Sequence, residues 1–228
     1  MQAVKACVLD RVFAACRTTP APWGRASFME AQRLIPIVLV KEYYWCPVAA
    51  WHKLVLWAER PTFSMEAGGL SGETRWRLLE RLEEVFARWR VEARELLWEH
   101  PVTSSRLGLA GRVDLAAVLS DDTLVVVEAK LSLPGKRRSL HIRVQAAAYG
   151  MAAEETLGYP LRMALIYEAE RNRIVEVEVT PMLRKMVEDA ARELHEMLQR
   201  GEPLQHYTVS PRRCRVCSYR GVCTYART

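Results

Sequence analysis

The chain has 228 residues, half of them apolar, and its 33 Lys and Arg exceed its 27 Asp and Glu. This length and composition allow one large domain with a sizeable core and argue against a disordered chain. No apolar run reaches the length of a membrane span, and charges split the apolar stretch at the start, so no signal peptide is predicted. We expect a cytoplasmic protein without a membrane partner.

Positive charge is concentrated in two segments. Residues 130–145 carry five Lys or Arg and no acid, and residues 200–228 carry six Arg and a single acid. Such basic patches on a near-neutral body indicate a polyanionic partner. The chain also has one Asn and far more Arg than Lys. That balance fits a hot environment, although a GC-rich genome would also favour Arg.

The order of elements predicts an α/β fold. Residues 1–36 show weak periodicity and are expected to form a poorly specified N-terminal extension. The first predicted elements are an extended segment at 37–44 and helices from Pro47 to about 60 and over 73–98. Strands at 102–107, 112–119 and 124–130 follow. After them come a helix at 140–155, strands at 161–168 and 173–179, and a helix at 182–199. This order indicates a mixed central sheet flanked by helices.

Three ionisable residues interrupt the predicted core strands. Asp114 lies within one strand, and Glu128 and Lys130 end the next, where alternation points them to the same face. Burying such charges without partners would cost roughly several kcal/mol per ion. A Mg²⁺ or Mn²⁺ ion bound by the carboxylates would offset this cost, and Lys130 could act on the attacking water. A structural Glu–Lys pair at a strand end is the alternative.

The next helix carries a polar face. His141, Gln145 and Tyr149 are spaced four residues apart, so they share one side of the helix. A buried Gln145 needs a hydrogen-bond partner, and Tyr149 offers a ring with a polar tip. Close to the Glu-Lys strand end, this face could hold a nucleotide or its phosphate.

Together these motifs resemble the RecB-like branch of the PD-(D/E)xK nuclease superfamily. The resemblance rests on Gly-x-x-Asp at 111–114, Glu-x-Lys at 128–130 and Gln-x-x-x-Tyr at 145–149, in that order. It implies a restriction-endonuclease-like core and metal-dependent DNA cleavage. The implied catalytic residues are Asp114, Glu128, Lys130, Gln145 and Tyr149, with the metal held by Asp114, Glu128 and the Ala129 carbonyl.

One position departs from that family pattern. The family often has a His four residues after a Gly on the long helix, and here Glu73 stands four residues after Gly69. Glu73 could serve as the third protein ligand, since carboxylates also suit Mg²⁺ or Mn²⁺. Alternatively, it is an ordinary first-turn Glu favoured by the helix dipole.

The six cysteines fall into three sets. Three lie close together in the tail, namely Cys214, Cys217 and Cys223, and Cys46 precedes a helix. Cys7 and Cys16 are expected to be free thiols. The Cys-x-x-Cys spacing suits one metal centre, and Cys46 is the natural fourth ligand. Structural zinc and an iron–sulfur cluster are both compatible with four thiolates.

A remote Cys joined to a C-terminal Cys trio around a RecB-like core resembles the CRISPR-associated exonuclease family Cas4. Tyr44-Trp-Cys46-Pro47 is similar to that family's N-terminal cysteine motif, and the resemblance covers residues 37–228. It implies a 4Fe–4S cluster, with 2Fe–2S as the alternative, in a module formed by residues 201–228 and Cys46. It also implies exonuclease action on single-stranded DNA and a part in spacer acquisition beside the CRISPR integrase complex.

The basic segments are the expected DNA contacts. Phosphate contacts are predicted for Lys136, Arg137 and Arg138 and for Arg212, Arg213, Arg215 and Arg220. A non-catalytic iron–sulfur DNA-binding module and a stand-alone repair nuclease are the alternative functions. The sequence does not decide between a monomer and a homo-oligomer.

Overall fold

The structure, a computed structural model, describes residues 34–56, 70–133, 140–204 and 210–227. Nearly all of the predicted extension and the basic segment 134–139 lie outside the described residues. The helices are α1 (Val38–Trp45), α2 (Pro47–Leu56), α3 (Gly72–Trp89), α4 (Leu140–Leu157), α5 (Pro181–Arg200) and α6 (Pro211–Cys214). The strands are β1 (Ile35–Pro36), β2 (Ala93–Ser104), β3 (Leu109–Leu119), β4 (Leu124–Lys130), β5 (Leu161–Glu168) and β6 (Arg173–Val177).

The six strands form one mixed sheet, as the sequence predicts. The order is β1-β3-β4-β5-β6, and β2 pairs with β3. The β1–β3 and β4–β5 pairs are parallel, whereas the β2–β3, β3–β4 and β5–β6 pairs are antiparallel. The parallel pair β4–β5 is joined through α4, as a crossover connection requires.

Strand β4 is apolar on both faces because the sheet separates two cores. Leu124 and Val126 pack into one core, with residues of α1, α4 and α5. Val125 and Val127 pack into the other, with the apolar face of α3. The fold is therefore a sheet with helices on both sides, and the strand that carries Glu128 lies at its centre.

The two longest amphipathic helices carry conventional caps. The Ser71 hydroxyl accepts the Thr74 N–H at the start of α3, and α3 ends at Arg90 in the left-handed region. Thr180 caps α5 in the same way, and Gly201 ends it with φ +71°. These caps fix where the helices meet the sheet.

The structure corrects the sequence prediction in three places. Residues 38–45 are helical, although β-branched and aromatic residues favour a strand there, because the helix buries Leu39, Val40 and Tyr43 against the core. The helix predicted to reach residue 98 ends at Trp89, and the following residues join β2 by pairing with β3. Ile35–Pro36 belong to the sheet rather than to the extension.

Among the described helices, none is both long enough and apolar enough to cross a membrane.

Candidate active site and cysteine pocket

The β3–β4 register brings the predicted carboxylates together. Leu115 pairs with Val127, so continuing this register by one residue sets Asp114 opposite Glu128. The Ala129 N–H donates to Asp114 Oδ2 at 2.7 Å. Lys130 Nζ forms an ion pair with Glu128 Oε1. The sequence therefore named a real cluster of two carboxylates and an amine at one end of the hairpin.

Electrostatics make this cluster costly without a cation. Burial raises the pKa of Glu128, and the Asp114 charge raises it further, while Lys130 opposes both. Burial also raises the pKa of Asp114, against the hydrogen bond from the Ala129 N–H. The two carboxylates repel each other in a poorly solvated site. A bound cation would reduce both this repulsion and the cost of burying the two charges.

Helix α4 supplies the polar neighbours that the sequence predicted. Gln145 is only 2% exposed and stands one helical turn before Tyr149 on α4. Burial raises the pKa of Tyr149, and the charges of Glu128 and Asp114 raise it further. A Cβ added at Gly111 would lie 2.9 Å from the Tyr149 ring, so the glycine lets the ring approach β3.

The residues present fit a catalytic divalent cation. Among the described residues, no three His, Cys, Asp or Glu side chains are grouped as the ligands of a single metal ion. Mg²⁺ needs fewer protein ligands, because it keeps several waters and uses one or two carboxylates together with substrate phosphate. Gln145 Oε1 is also buried with no hydrogen-bond partner in the part of the chain that the structure describes, and such an atom needs a polar partner.

The structure places Glu73 and a different glutamate in contrasting surroundings. Glu73 is exposed in the first turn of α3, which favours the helix-dipole role. Arg75 of the same helix contacts Glu99 at 2.7 Å, and the Glu99 charge contributes to the raised pKa of Asp114. Glu99 has φ +48°, an uncommon backbone conformation for its residue type. Sequence reasoning missed Glu99 because it assigned the chain up to residue 98 to a helix.

A partly exposed lysine near the cluster was also missed. Lys41 lies on α1, and burial lowers its pKa, with further lowering by the charge of Lys130. The charge of Glu42 raises the pKa of Lys41, and the Glu42 carboxylate contacts Lys41 Nζ at 3.7 Å. The sequence placed this segment in an extended stretch before the domain's helices, so no pattern pointed to Lys41 as a neighbour of Glu128.

The four predicted cysteines line one pocket. Cys46 and Cys214 are buried and pack together with Val48 and Ala49, and the two other thiols border the same cluster; all four, Cys46, Cys214, Cys217 and Cys223, are free of disulfides. Cys46 stands between α1 and α2, and Cys214 ends α6. The pocket therefore joins the start of the domain to its C-terminal segment.

The lining of this pocket adds hydrogen-bond donors and a buried imidazole to the thiols, although among the described residues the thiols are not grouped as the ligands of one metal ion. Burial raises the pKa of the Cys46 thiol, and the neighbouring N–H groups of Ala49 and Val48 act to lower that pKa. The Arg227 N–H donates to the Cys214 sulfur at 3.5 Å. His52 is buried and lines the same pocket, and among the described residues nothing hydrogen-bonds its Nε2. Such N–H groups commonly support metal-bound sulfur.

The predicted DNA contacts are only partly described. Lys136, Arg137 and Arg138 lie outside the described residues. The tail arginines are exposed, as phosphate contacts would require; these are Arg212, Arg213, Arg215 and Arg220. Arg213 also donates to the Trp45 carbonyl, so this arginine ties α6 to the end of α1.

Comparison with known proteins is consistent with this geometry. Residues 47–224 match the family described as the PD-(D/E)XK nuclease superfamily. The chain is 33% identical over 196 residues to the CRISPR-associated exonuclease Cas4 of Aeropyrum pernix, covering 82% of this chain and 94% of that protein. It is 26% identical over 190 residues to the CRISPR-associated exonuclease Cas4 of Thermoproteus tenax, covering 83% and 93% of the two chains.

The chain is also similar to a solved structure titled "Crystal structure of SSO0001". The match covers 89% of this chain and 91% of that chain, with 15% sequence identity and a TM-score of 0.45. That score is too low to carry an argument.

Proposed function

The chain belongs to the Cas4 exonuclease family within the PD-(D/E)XK nuclease superfamily, and on this premise we propose that it degrades DNA from an end with Mg²⁺ or Mn²⁺. We propose single-stranded DNA as the main substrate and spacer acquisition, beside the CRISPR integrase complex, as the setting. The observation that carries the proposal is the cluster of Asp114, Glu128 and Lys130 at the end of the β3–β4 hairpin.

Each residue of the cluster has a role in the proposed reaction. Asp114 and Glu128, with the Ala129 carbonyl, would hold the cation, which supplies an activated water and neutralises charge on the phosphate. Lys130, whose Nζ is paired with Glu128, would act on that water by orienting it. Gln145 and Tyr149 would position the DNA end from the facing helix.

The cysteine pocket is proposed to hold an iron–sulfur cluster, with 4Fe–4S favoured over 2Fe–2S. Its ligands would be Cys46, Cys214, Cys217 and Cys223, which already line one pocket together. Residues 201–228 with Cys46 would then form one module of a nuclease domain spanning residues 37–228. Ligation would also stabilise the fold, since the free energy of binding at such a site adds to that of folding.

An end-label assay tests the proposal. We expect single-stranded DNA labelled at either end to be shortened stepwise in Mn²⁺ or Mg²⁺, with double-stranded DNA cut more slowly. EDTA should stop the reaction, and Asp114→Asn should remove it while the protein remains folded. Full cutting by Asp114→Asn, or binding without cutting in every divalent metal, would contradict the nuclease proposal and favour a non-catalytic DNA-binding module.

A further inference from the structure

A groove of about 310 Å³ lies between α1, the start of α4 and the cysteine-bearing C-terminal segment. Its lining includes Lys41, Trp45, His141 and Ser218. We propose that this groove binds one nucleotide of a single DNA strand beside the phosphate that is cut. Lys41 and His141 would contact the nucleotide's phosphate, and Trp45 would stack on its base. This inference rests on the proposed nuclease function.

The charges around the groove suit a phosphate. Lys41 and His141 line it from two helices, and burial lowers the pKa of His141, with further lowering by the charges of Lys41 and Arg213. The one acidic side chain in the lining, Glu42, is already shared by Lys41 at 3.7 Å and Lys53 at 3.8 Å. His141 is in the first turn of α4, where free N–H groups and the helix dipole also favour an anion.

The groove shares helix α4 with the polar neighbours of the carboxylate cluster, because His141 precedes Gln145 by one helical turn. Burial lowers the pKa of Lys41 and of His141, and the charge of Lys130 contributes to the lowering of both. The two lining residues are therefore within electrostatic reach of the ion pair that ends β4. A strand held on them would have its neighbouring phosphate at Asp114 and Glu128.

The groove also offers an aromatic surface for a base. Tyr219 borders it but already stacks on His52, with ring centroids 5.6 Å apart and planes at 20°. Trp45 is half-buried and remains the large aromatic side chain of the lining that a base could cover. Stacking on an aromatic ring accepts any base, which suits a nuclease that degrades DNA of every sequence.

The charge contact is tested by binding in the Glu128→Gln background, where the strand is not cut. Lys41→Met should weaken the binding of a single-stranded oligonucleotide by about tenfold, and the salt dependence of binding should fall by about one phosphate contact. Lys41→Arg should largely restore both. Lys185→Met removes an exposed lysine of α5 and should change neither, as the matched control. Equal binding by the Lys41→Met and Lys185→Met proteins would overturn the proposal.

The stacking contact is tested without changing Lys41. An oligonucleotide with one abasic position near its end should bind about tenfold more weakly than the intact strand when that position falls in the groove. In Trp45→Leu the intact and abasic strands should bind equally. A loss of the same size in both proteins would show that no base stacks on Trp45.

Failure of this inference can be told apart from failure of the nuclease proposal. If the wild-type protein cuts no DNA in Mg²⁺ or Mn²⁺, the nuclease proposal falls. If the wild type cuts, but Lys41→Met cuts with an unchanged KM for single-stranded DNA, only the groove assignment is wrong. The groove would then be a surface for some other partner.

Discussion

The carboxylate cluster and the cysteine pocket are positioned by different kinds of structure. Asp114 and Glu128 stand on adjacent strands at the centre of a six-stranded sheet, whose register sets them opposite each other. The three C-terminal cysteines stand on the four-residue helix α6 and the turns that follow it. Single turn hydrogen bonds, such as Cys217 N–H to the Cys214 carbonyl at 3.2 Å, hold that segment.

This difference separates chemistry from stability. The sheet fixes the carboxylates before any cation binds, so removing one of them should damage the reaction and spare the fold. The cysteine segment contributes few regular backbone contacts and little buried surface, so its order should depend on what its thiols bind. Changes in the two regions should therefore give opposite phenotypes.

The largest expected effect is on the reaction. Glu128→Gln should lower the rate of DNA cutting by at least about a hundredfold, because it removes a carboxylate that would hold the cation, and the cation neutralises charge on the reacting phosphate. The protein should remain folded, with a melting temperature no lower than that of the wild type, and any brown colour should be unchanged. Cleavage kinetics, thermal unfolding and the visible spectrum of one preparation check all three. A folded Glu128→Gln protein that cuts at the wild-type rate would show that the carboxylates are structural.

The converse change should act on stability. Cys214→Ala should bleach the purified protein, remove its iron and acid-labile sulfide, and lower the free energy of unfolding by on the order of 4 kcal/mol, as loss of a metal site does. The fraction that remains folded should still bind Mn²⁺. Metal analysis and denaturant unfolding measure the effect. Stoichiometric zinc and no iron in protein prepared without oxygen would exclude the proposed cluster.

A smaller effect should appear in the pH dependence of the metal-free protein. Burial raises the folded-state pKa of Glu128, so its contribution to stability is present at low pH and is lost as pH rises from about 4 through that raised value. Glu128→Gln should therefore gain stability relative to wild type over this window. Ion-paired acids such as Glu168, whose pKa is lowered, act in the opposite direction in both proteins. The difference between the two proteins in EDTA is therefore the measurement, and a constant difference from pH 4 to 8 would contradict the prediction.

The smallest effect is expected at Glu73. Glu73→Ala should cost about 0.3–1 kcal/mol of stability through the lost helix-dipole interaction. The Mn²⁺ concentration that gives half-maximal cutting should not change, since Glu73 is exposed in the first turn of α3. A metal titration of the variant beside wild type decides the point. A clear shift to higher Mn²⁺ would restore Glu73 as a ligand.

The sequence predicted the fold best where local pattern and tertiary packing agree. The strand LVVVEAK and the helix starting at Leu140 are found as expected, because the apolar run and the buried helical face need no distant partner to be recognised. The extended conformation predicted for the segment at 38–45 was wrong, because a helix there buries Leu39 and Tyr43 and this burial overrides β propensity. The prediction of a helix after Arg90 was wrong because the helical spacing of apolar residues continues through Trp98, although this part of the chain is strand β2 and pairs with β3.

The candidate site shows the same limit. Asp114, Glu128 and Lys130 could be grouped from strand alternation and hairpin pairing, which are local rules. Glu99 and Lys41 could not be, since their closeness to the cluster depends on how β2 and α1 pack against it. Long-range charge contacts of this kind leave no spacing in the sequence.

Because Cys46 and Cys214 lie in one pocket but far apart in the chain, the pocket is completed late in biosynthesis. All six strands and α1–α5 precede Cys214 in the chain, so they leave the ribosome before it does. A nascent chain can therefore assemble its carboxylate hairpin while three of the four pocket thiols are still being translated. Delivery of iron and sulfide would then have to follow translation, and a cell short of either would accumulate chains with an intact sheet and an open pocket.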